Sequence, residues 1–214
     1  MEFYSLERQD EFVYALFKNV QNGFFLDIGC HFPYESSNTY VLEKDLNWHG
    51  VGFDIVSGTP WTGPFNWSER RPNTKFIQTD VTQIGFIQLI KDNLDINHTI
   101  DYVSLDIDGP LNGKHYNFGW EVLPKMINSG IRFKIMTMEH EFYSQGERVR
   151  DPSRLLLEQL GYIRLFSDVS FANGNSFEDW WIDPLYFSDN LLQYGGCNLS
   201  YDQCIDNITN YLKQ

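Results

Sequence analysis

Four short apolar runs in this chain each end in a carboxylate: Leu26-Asp27-Ile28-Gly29, Gly52-Phe53-Asp54, Gln78-Thr79-Asp80 and Leu105-Asp106-Ile107-Asp108-Gly109. A fifth run ends Met138-Glu139-His140. One acid after a strand is more often a helix cap or a turn former than a ligand contact. Acids at four corresponding places point instead to one shared binding edge. A carboxylate can accept both hydroxyls of a ribose, which makes Asp54 a candidate for nucleoside recognition. Gly29 permits close backbone approach, and the helix that follows offers free N–H groups to an anion. The stretch Asp27 to Asn38 has a single glycine, a weak match to a dinucleotide-binding G-x-G-x-x-G, and no Walker A run exists. His140, with an ordinary pKa of about 6.5, is suited to act as a general base near neutrality, its alternative being a strand-end cap. Asp106, Asp108 and Glu139 are of the type that takes a proton or holds a hard cation such as Mg²⁺.

The elements that must position these groups alternate in period. An amphipathic leading helix is expected within residues 1–22, over about 5–20 with Ser5 as N-cap. Then come a strand at 23–29, a helix at 36–48, a strand at 51–55, a Trp/Pro/Gly-rich loop at 56–73 and a strand at 75–80. Helices near 83–93, 118–129 and 151–162 interleave with strands at 100–108 and 133–139. Strands alternating with helices of this length specify a mostly parallel sheet with helices on both faces. IRLF (163–166) and EDWWIDPLYF (178–187) read as an antiparallel pair at one edge, and 188–214 as a C-terminal extension. The expectation is one domain over 1–214. In such sheets ligands bind outside the carboxyl ends of the strands, where the acids lie.

Composition narrows the partners. Lys and Arg total 16 against 29 Asp and Glu, a net charge of −13, so the summed field disfavours nucleic acid or an anionic membrane as main partner. No apolar run is long enough to cross a bilayer and the N-terminus lacks signal-peptide character, from which a cytoplasmic location is expected. Cys30, Cys197 and Cys204 form no metal-ligand ladder and read as reduced thiols. The four Asn-x-Ser/Thr triplets, at Asn66, Asn97, Asn198 and Asn207, read as accidental. His31 and His49 read as turn or surface residues, and His98 and His115 as residues of polar loops. Trp61, Trp67, Trp120, Trp180 and Trp181 are of the type that stacks on a sugar ring, although core packing is the commoner fate of aromatics. Loop 56–73 and segment 110–120 are the candidates for acceptor recognition.

The run GFFLDIGCHFPYESSNTYVLEKDLNWHGVGFDI, with IDYVSLDIDG, MTMEHEF and RVRDPSRLLLEQLGY after it, resembles the FkbM-type S-adenosylmethionine-dependent methyltransferases over about residues 23–187. The resemblance implies a Rossmann-like class I methyltransferase with a seven-stranded sheet carrying an antiparallel edge strand. Cys30 stands where the family has Ala, and Asp54-Ile55 where it has Glu-Pro. Residue by residue it implies that Asp27 and Gly29 shape the turn under the methionine part, with Cys30 beside them. Ser37 and Asn38 would bond the cofactor carboxylate, Asp54 the ribose, and Asp80 with the Val81 amide the adenine edge. Asp106 would lie near the sulfonium. The reaction implied is O-methylation of a sugar or glycan hydroxyl; the convergence of LDIDG and MEH at adjacent strand ends makes His140, Asp106 and Asp108 the catalytic candidates, and analogy with sugar O-methyltransferases of related folds makes Asp106, Asp108 and Glu139 the alternative metal set. A catalytically silent binding module of this fold and a methyltransferase of another small molecule or of nucleic acid are the alternatives.

Overall fold

The computed structural model describes residues 2–60, 63–94 and 99–214. Trp61, Asn97 and His98 lie outside them. The architecture is mixed α/β with a mostly parallel eight-stranded sheet, one strand more than expected. Two compact units share the chain, residues 1–104 and 105–214.

The first unit runs α1 (Gln9–Phe17), β1 (Phe24–Ile28), α2 (Tyr40–Leu46), β2 (His49–Asp54), β3 (Gly58–Thr59), β4 (Gly63–Pro64), α3 (Trp67–Arg70), β5 (Thr74–Gln78), α4 (Phe86–Lys91) and β6 (Ile100–Leu105, whose last residue opens the second unit). Its strands lie in the order β6-β1-β2-β5, with β2 parallel to both β1 and β5. Every residue of β1 is buried, as a strand covered on both faces requires. The leading helix is shorter than its periodicity suggests, and Phe12, Val13 and Phe17 bury its apolar side. Trp48 closes that side: its Nε1 donates to the Val20 carbonyl at 2.8 Å and its ring meets Phe17 edge-on. The described residues of the loop after β2 form the small β3–β4 ladder and α3, with Phe65 and Trp67 packed with Cys30.

The second unit continues with β7 (Asp108–Leu111), β8 (Lys114–Asn117), α5 (Gly119–Asn128), β9 (Phe133–Glu139), α6 (Phe142–Gln145), α7 (Glu147–Gln159), β10 (Ile163–Ser170), β11 (Ser176–Ile182), α8 (Asp189–Leu192), β12 (Gly196–Cys197) and α9 (Tyr201–Tyr211). Here the order is β9-β11-β10-β12. Strand β11 runs antiparallel to both neighbours, so the antiparallel strand is interior and β12, parallel to β10, lies outside it. The sequence reading missed β12 because two residues carry no period. β11 also ends five residues earlier than expected, at Ile182. Asp183 accepts the Leu185 N–H at 3.0 Å and Pro184 opens a 3₁₀ turn, which ends the ladder. Within segment 110–120, residues up to 117 belong to the β7–β8 hairpin, which places His115 in a strand rather than a polar loop, and 119–120 open α5; Asn112 and Gly113 both have positive φ (53° and 75°), the two-residue turn that suits a twisted ladder.

Candidate active site

At the carboxyl ends of β1 and β2 the chain builds a clasp. Gly29, at φ 92°, turns β1 so that its own N–H and that of Cys30 both donate to the Phe53 carbonyl, at 2.8 and 3.2 Å. His31, also at positive φ, then gives its N–H to Asp54 Oδ2 at 2.8 Å, while Asp54 Oδ1 takes the Val56 N–H at 2.7 Å. One carboxylate therefore ties together the loops that follow two strands. Each of its oxygens holds one backbone donor and keeps a lone pair, the capacity a ribose diol would use. Cys30 packs beside it against Gly52, where a β-carbon would come within 2.9 Å of Sγ. Burial, and then the charges of Asp27 and Asp54, push the Cys30 thiol well up, so it fills space as a neutral group.

Beneath the clasp runs a buried polar chain that nothing in the residue spacing announced. Asp27 accepts from Thr39 Oγ1 at 2.7 Å, and Thr39 Oγ1 in turn accepts from Arg71 at 3.2 Å. Arg71, fully buried, donates to Glu43, to the Pro33 carbonyl at 2.8 Å and to Ser37 Oγ at 3.3 Å. Glu43 also accepts from Thr74 Oγ1 and the Asn73 N–H, at 2.6 and 2.8 Å. Ser37 is thus spent on Arg71 and on the N–H groups of Thr39 and Tyr40 at the start of α2. Asn38 gives its side-chain N–H to Ser104 Oγ at 3.0 Å. Asp80 accepts from Thr82, through backbone and hydroxyl, and from Gln83, which makes it a turn former; Val81 beside it is buried.

The second unit gathers acids. Glu139, at the end of β9, is held well above the ordinary carboxylate range, first by burial and then by the charge and hydrogen bond of Asp106, with Glu141 and Glu178 adding to it. Asp106 and Glu139 form a pair that favours one shared proton. Asp108, half exposed at the start of β7, is drawn elsewhere. His115 Nε2 lies 3.5 Å from Asp108 Oδ2 and 2.6 Å from Glu141 Oε1. Among the described residues the metal-type groups are Asp108–His115–Glu141 and His140–Asp168–Asp179, so Asp106, Asp108 and Glu139 are not brought together as a ligand set.

His140 is 1% exposed, and its ring is engaged. Nδ1 accepts the Phe142 N–H at 3.2 Å and Nε2 lies 3.5 Å from Asp179 Oδ1. Arg154 grips the same carboxylate through two bonds of 2.7 Å. Nδ1 is thereby occupied, while Nε2 is buried with no hydrogen-bond partner among the described residues. The tryptophans divide as aromatics usually do: Trp180 and Trp181 are wholly buried and Trp67 stacks on Phe76 at 4.6 Å, so none of the three presents a face to a sugar. Of the cysteines, Cys30 and Cys204 are buried and Cys197 is exposed.

No protein-family model matches the chain, and no curated protein matches it significantly. Its fold is found among solved structures. A protein from Clostridium thermocellum described as an rRNA methylase is 15% identical, with 85% of this chain and 97% of that one covered and a TM-score of 0.50. The human methyltransferase 10 domain containing protein is 10% identical over 86% of each chain, with a TM-score of 0.49. A Plasmodium falciparum protein described as a ribosomal RNA methyltransferase is 20% identical, with 82% and 95% covered and a TM-score of 0.47. The first shows a methyltransferase fold.

Proposed function

We propose that the chain is an S-adenosylmethionine-dependent methyltransferase of FkbM type, acting on a sugar or glycan hydroxyl. The observation that carries this is the clasp at the ends of β1 and β2, where Asp54 is fixed by two backbone donors and keeps acceptor capacity on both oxygens. Asp54 would hold the ribose, the Gly29 turn the methionine part, and Asp80 with the Val81 amide the adenine edge. Asp27 and Ser37, engaged in the buried chain, act as positioning residues. Asn38 is bonded to Ser104, and Cys30 fits as packing.

When bound, the cofactor supplies a methyl group on a sulfonium. The chain's own acid–base work falls to the Asp106–Glu139 pair, with Asp108 beside it in sequence. A carboxylate whose pKa is raised takes a hydroxyl proton more readily than an ordinary one. His140, shut in by Phe142 and Asp179, orients the segment after β9 in place of serving as the base. A net charge of −13 favours an uncharged acceptor over RNA.

Calorimetry with S-adenosylmethionine and S-adenosylhomocysteine tests this reading. Micromolar-class binding is expected, and Asp54→Ala should lose about 1.5–3 kcal/mol, the worth of a charge-assisted hydrogen bond, while Asp54→Asn with unchanged circular dichroism keeps part of it. Failure of both ligands to bind overturns the reading. An acceptor screen that includes RNA then decides the substrate: methylation of RNA in preference to glycans would sink the hydroxyl assignment alone.

A further inference from the structure

Asp108, His115 and Glu141 come from three different segments, and the fold brings their ligand atoms within 4.8 Å of one another. The β7–β8 register sets the first two. His115 lies opposite Pro110, so Asp108, two residues away, projects from the same face at diagonal reach. Glu141 is set by the end of β9. It sits at φ 46° with its N–H on the Phe177 carbonyl at 2.8 Å, and its own carbonyl accepts from Ser144 and Gln145. Its carboxylate is 98% buried. Oε1 takes His115 at 2.6 Å and the Tyr143 hydroxyl at 2.9 Å, whereas Oε2 is buried with no partner.

A buried carboxylate oxygen without a donor is costly, because the water it gave up is not replaced. A cation in the cluster removes that cost. The other group of this kind offers a contrast: Asp168 and Asp179 already hold Arg150 and Arg154, so positive charge is built in there. At Asp108, His115 and Glu141 the side-chain partner of the buried acid beyond His115 is the neutral Tyr143 hydroxyl, which donates to Glu141 Oε1 at 2.9 Å and brings no positive charge. His115 is 46% exposed and Asp108 52%, which leaves a path for entry and room for water to complete a coordination shell.

We propose that Asp108 Oδ2, His115 Nε2 and the Glu141 carboxylate form a binding site for one divalent transition-metal ion. One imidazole with two carboxylates selects Mn²⁺, Fe²⁺, Co²⁺ or Zn²⁺ over the all-oxygen preference of Mg²⁺ and Ca²⁺. Three protein ligands leave open positions, as in sites that bind water or a substrate oxygen. The site goes beyond the methyl-transfer reading and does not depend on it.

The test uses the full chain, stripped with EDTA and titrated with Mn²⁺ followed by electron paramagnetic resonance. One tightly bound ion per chain is expected, with nitrogen modulation in the spin-echo spectrum from a coordinated imidazole. His115→Ala, on an exposed hairpin, should keep the circular dichroism of the parent, lose the nitrogen modulation and weaken binding at least roughly tenfold, the low end of what even an outer partner contributes to a metal site. Glu141→Gln should weaken binding comparably. Asp189→Asn, at an exposed carboxylate elsewhere, should leave it unchanged. Absence of a stoichiometric ion, or an ion without nitrogen modulation and indifferent to His115→Ala, overturns the proposal and leaves His115 as a hydrogen-bonded bridge between two acids.

Discussion

Arg71 decides more about the first unit than any residue on its binding edge. It is a guanidinium with no exposure, bonded to Glu43, Ser37, Thr39 and a carbonyl, with the rings of Phe25, Tyr40 and Trp67 within 6 Å of it. Removing one partner of such a pair strands the other charge in a medium that cannot solvate it. Arg71→Met should therefore lower unfolding stability by about 3–5 kcal/mol, whereas Arg71→Met with Glu43→Leu should recover much of the loss. Urea midpoints of the two variants decide it. A double variant no better than the single would show that the pair stabilises beyond charge compensation. Arg71 was invisible in the sequence, since it lies in the Trp/Pro/Gly-rich stretch 56–73 and its partner is 28 residues away. Asp54 was legible, because an acid closing an apolar run needs no long-range information.

At the scale of elements, close contacts between strands depend on glycines. A β-carbon at Gly50 in β2 would lie 2.4 Å from the Phe25 ring and 2.5 Å from the Phe25 carbonyl oxygen. Backbone cannot step aside as a side chain can, so Gly50→Ala should cost about 1–3 kcal/mol of overpacking. Gly109→Ala, with nothing nearer than 3.9 Å, should be tolerated. Thermal denaturation of both compares them directly, and equal melting temperatures would refute the packing argument. Elements also show where local rules yield to tertiary ones. Helix α7 begins at Glu147, upstream of Pro152, although a proline marks a helix start more readily than an interior. Arg148 and Arg150 hold that extra turn in place, through the Asn117 carbonyl at 2.6 Å and through Asp168 at 3.2 Å.

For the molecule as a whole, pH should act through opposed groups. Asp179 and Asp168 are lowered despite their burial, because Arg154 bonds both. Their folded pKa values lie below the unfolded value of about 3.9, so the stability they add is complete above that pH and is lost as pH falls through the folded values. Asp10 is raised by burial, so it opposes folding when ionised and ceases to do so as pH falls through its raised pKa. A net charge of −13 also relaxes as acids protonate. Melting temperature should hold or rise from pH 7 to about pH 5 and fall steeply below about pH 4. Arg154→Met should flatten the acid limb, and an unchanged limb in that variant would refute the assignment.

The alternation of strand and helix and the carboxyl ends at which acids collect were already legible in the residues. Each follows from period or composition carried by a few neighbouring residues. Tertiary structure alone decided which acids meet which partners. Asp108 could not be told from Asp106 by spacing, yet strand register turns one toward His115 and Glu141 while the other pairs with Glu139. His140 reads in the sequence as a candidate base, and spacing says nothing of the Phe142 N–H on its Nδ1 or of Asp179 3.5 Å from its Nε2. Side-chain direction and long-range register are set by packing between segments far apart in the chain, and no local pattern encodes them.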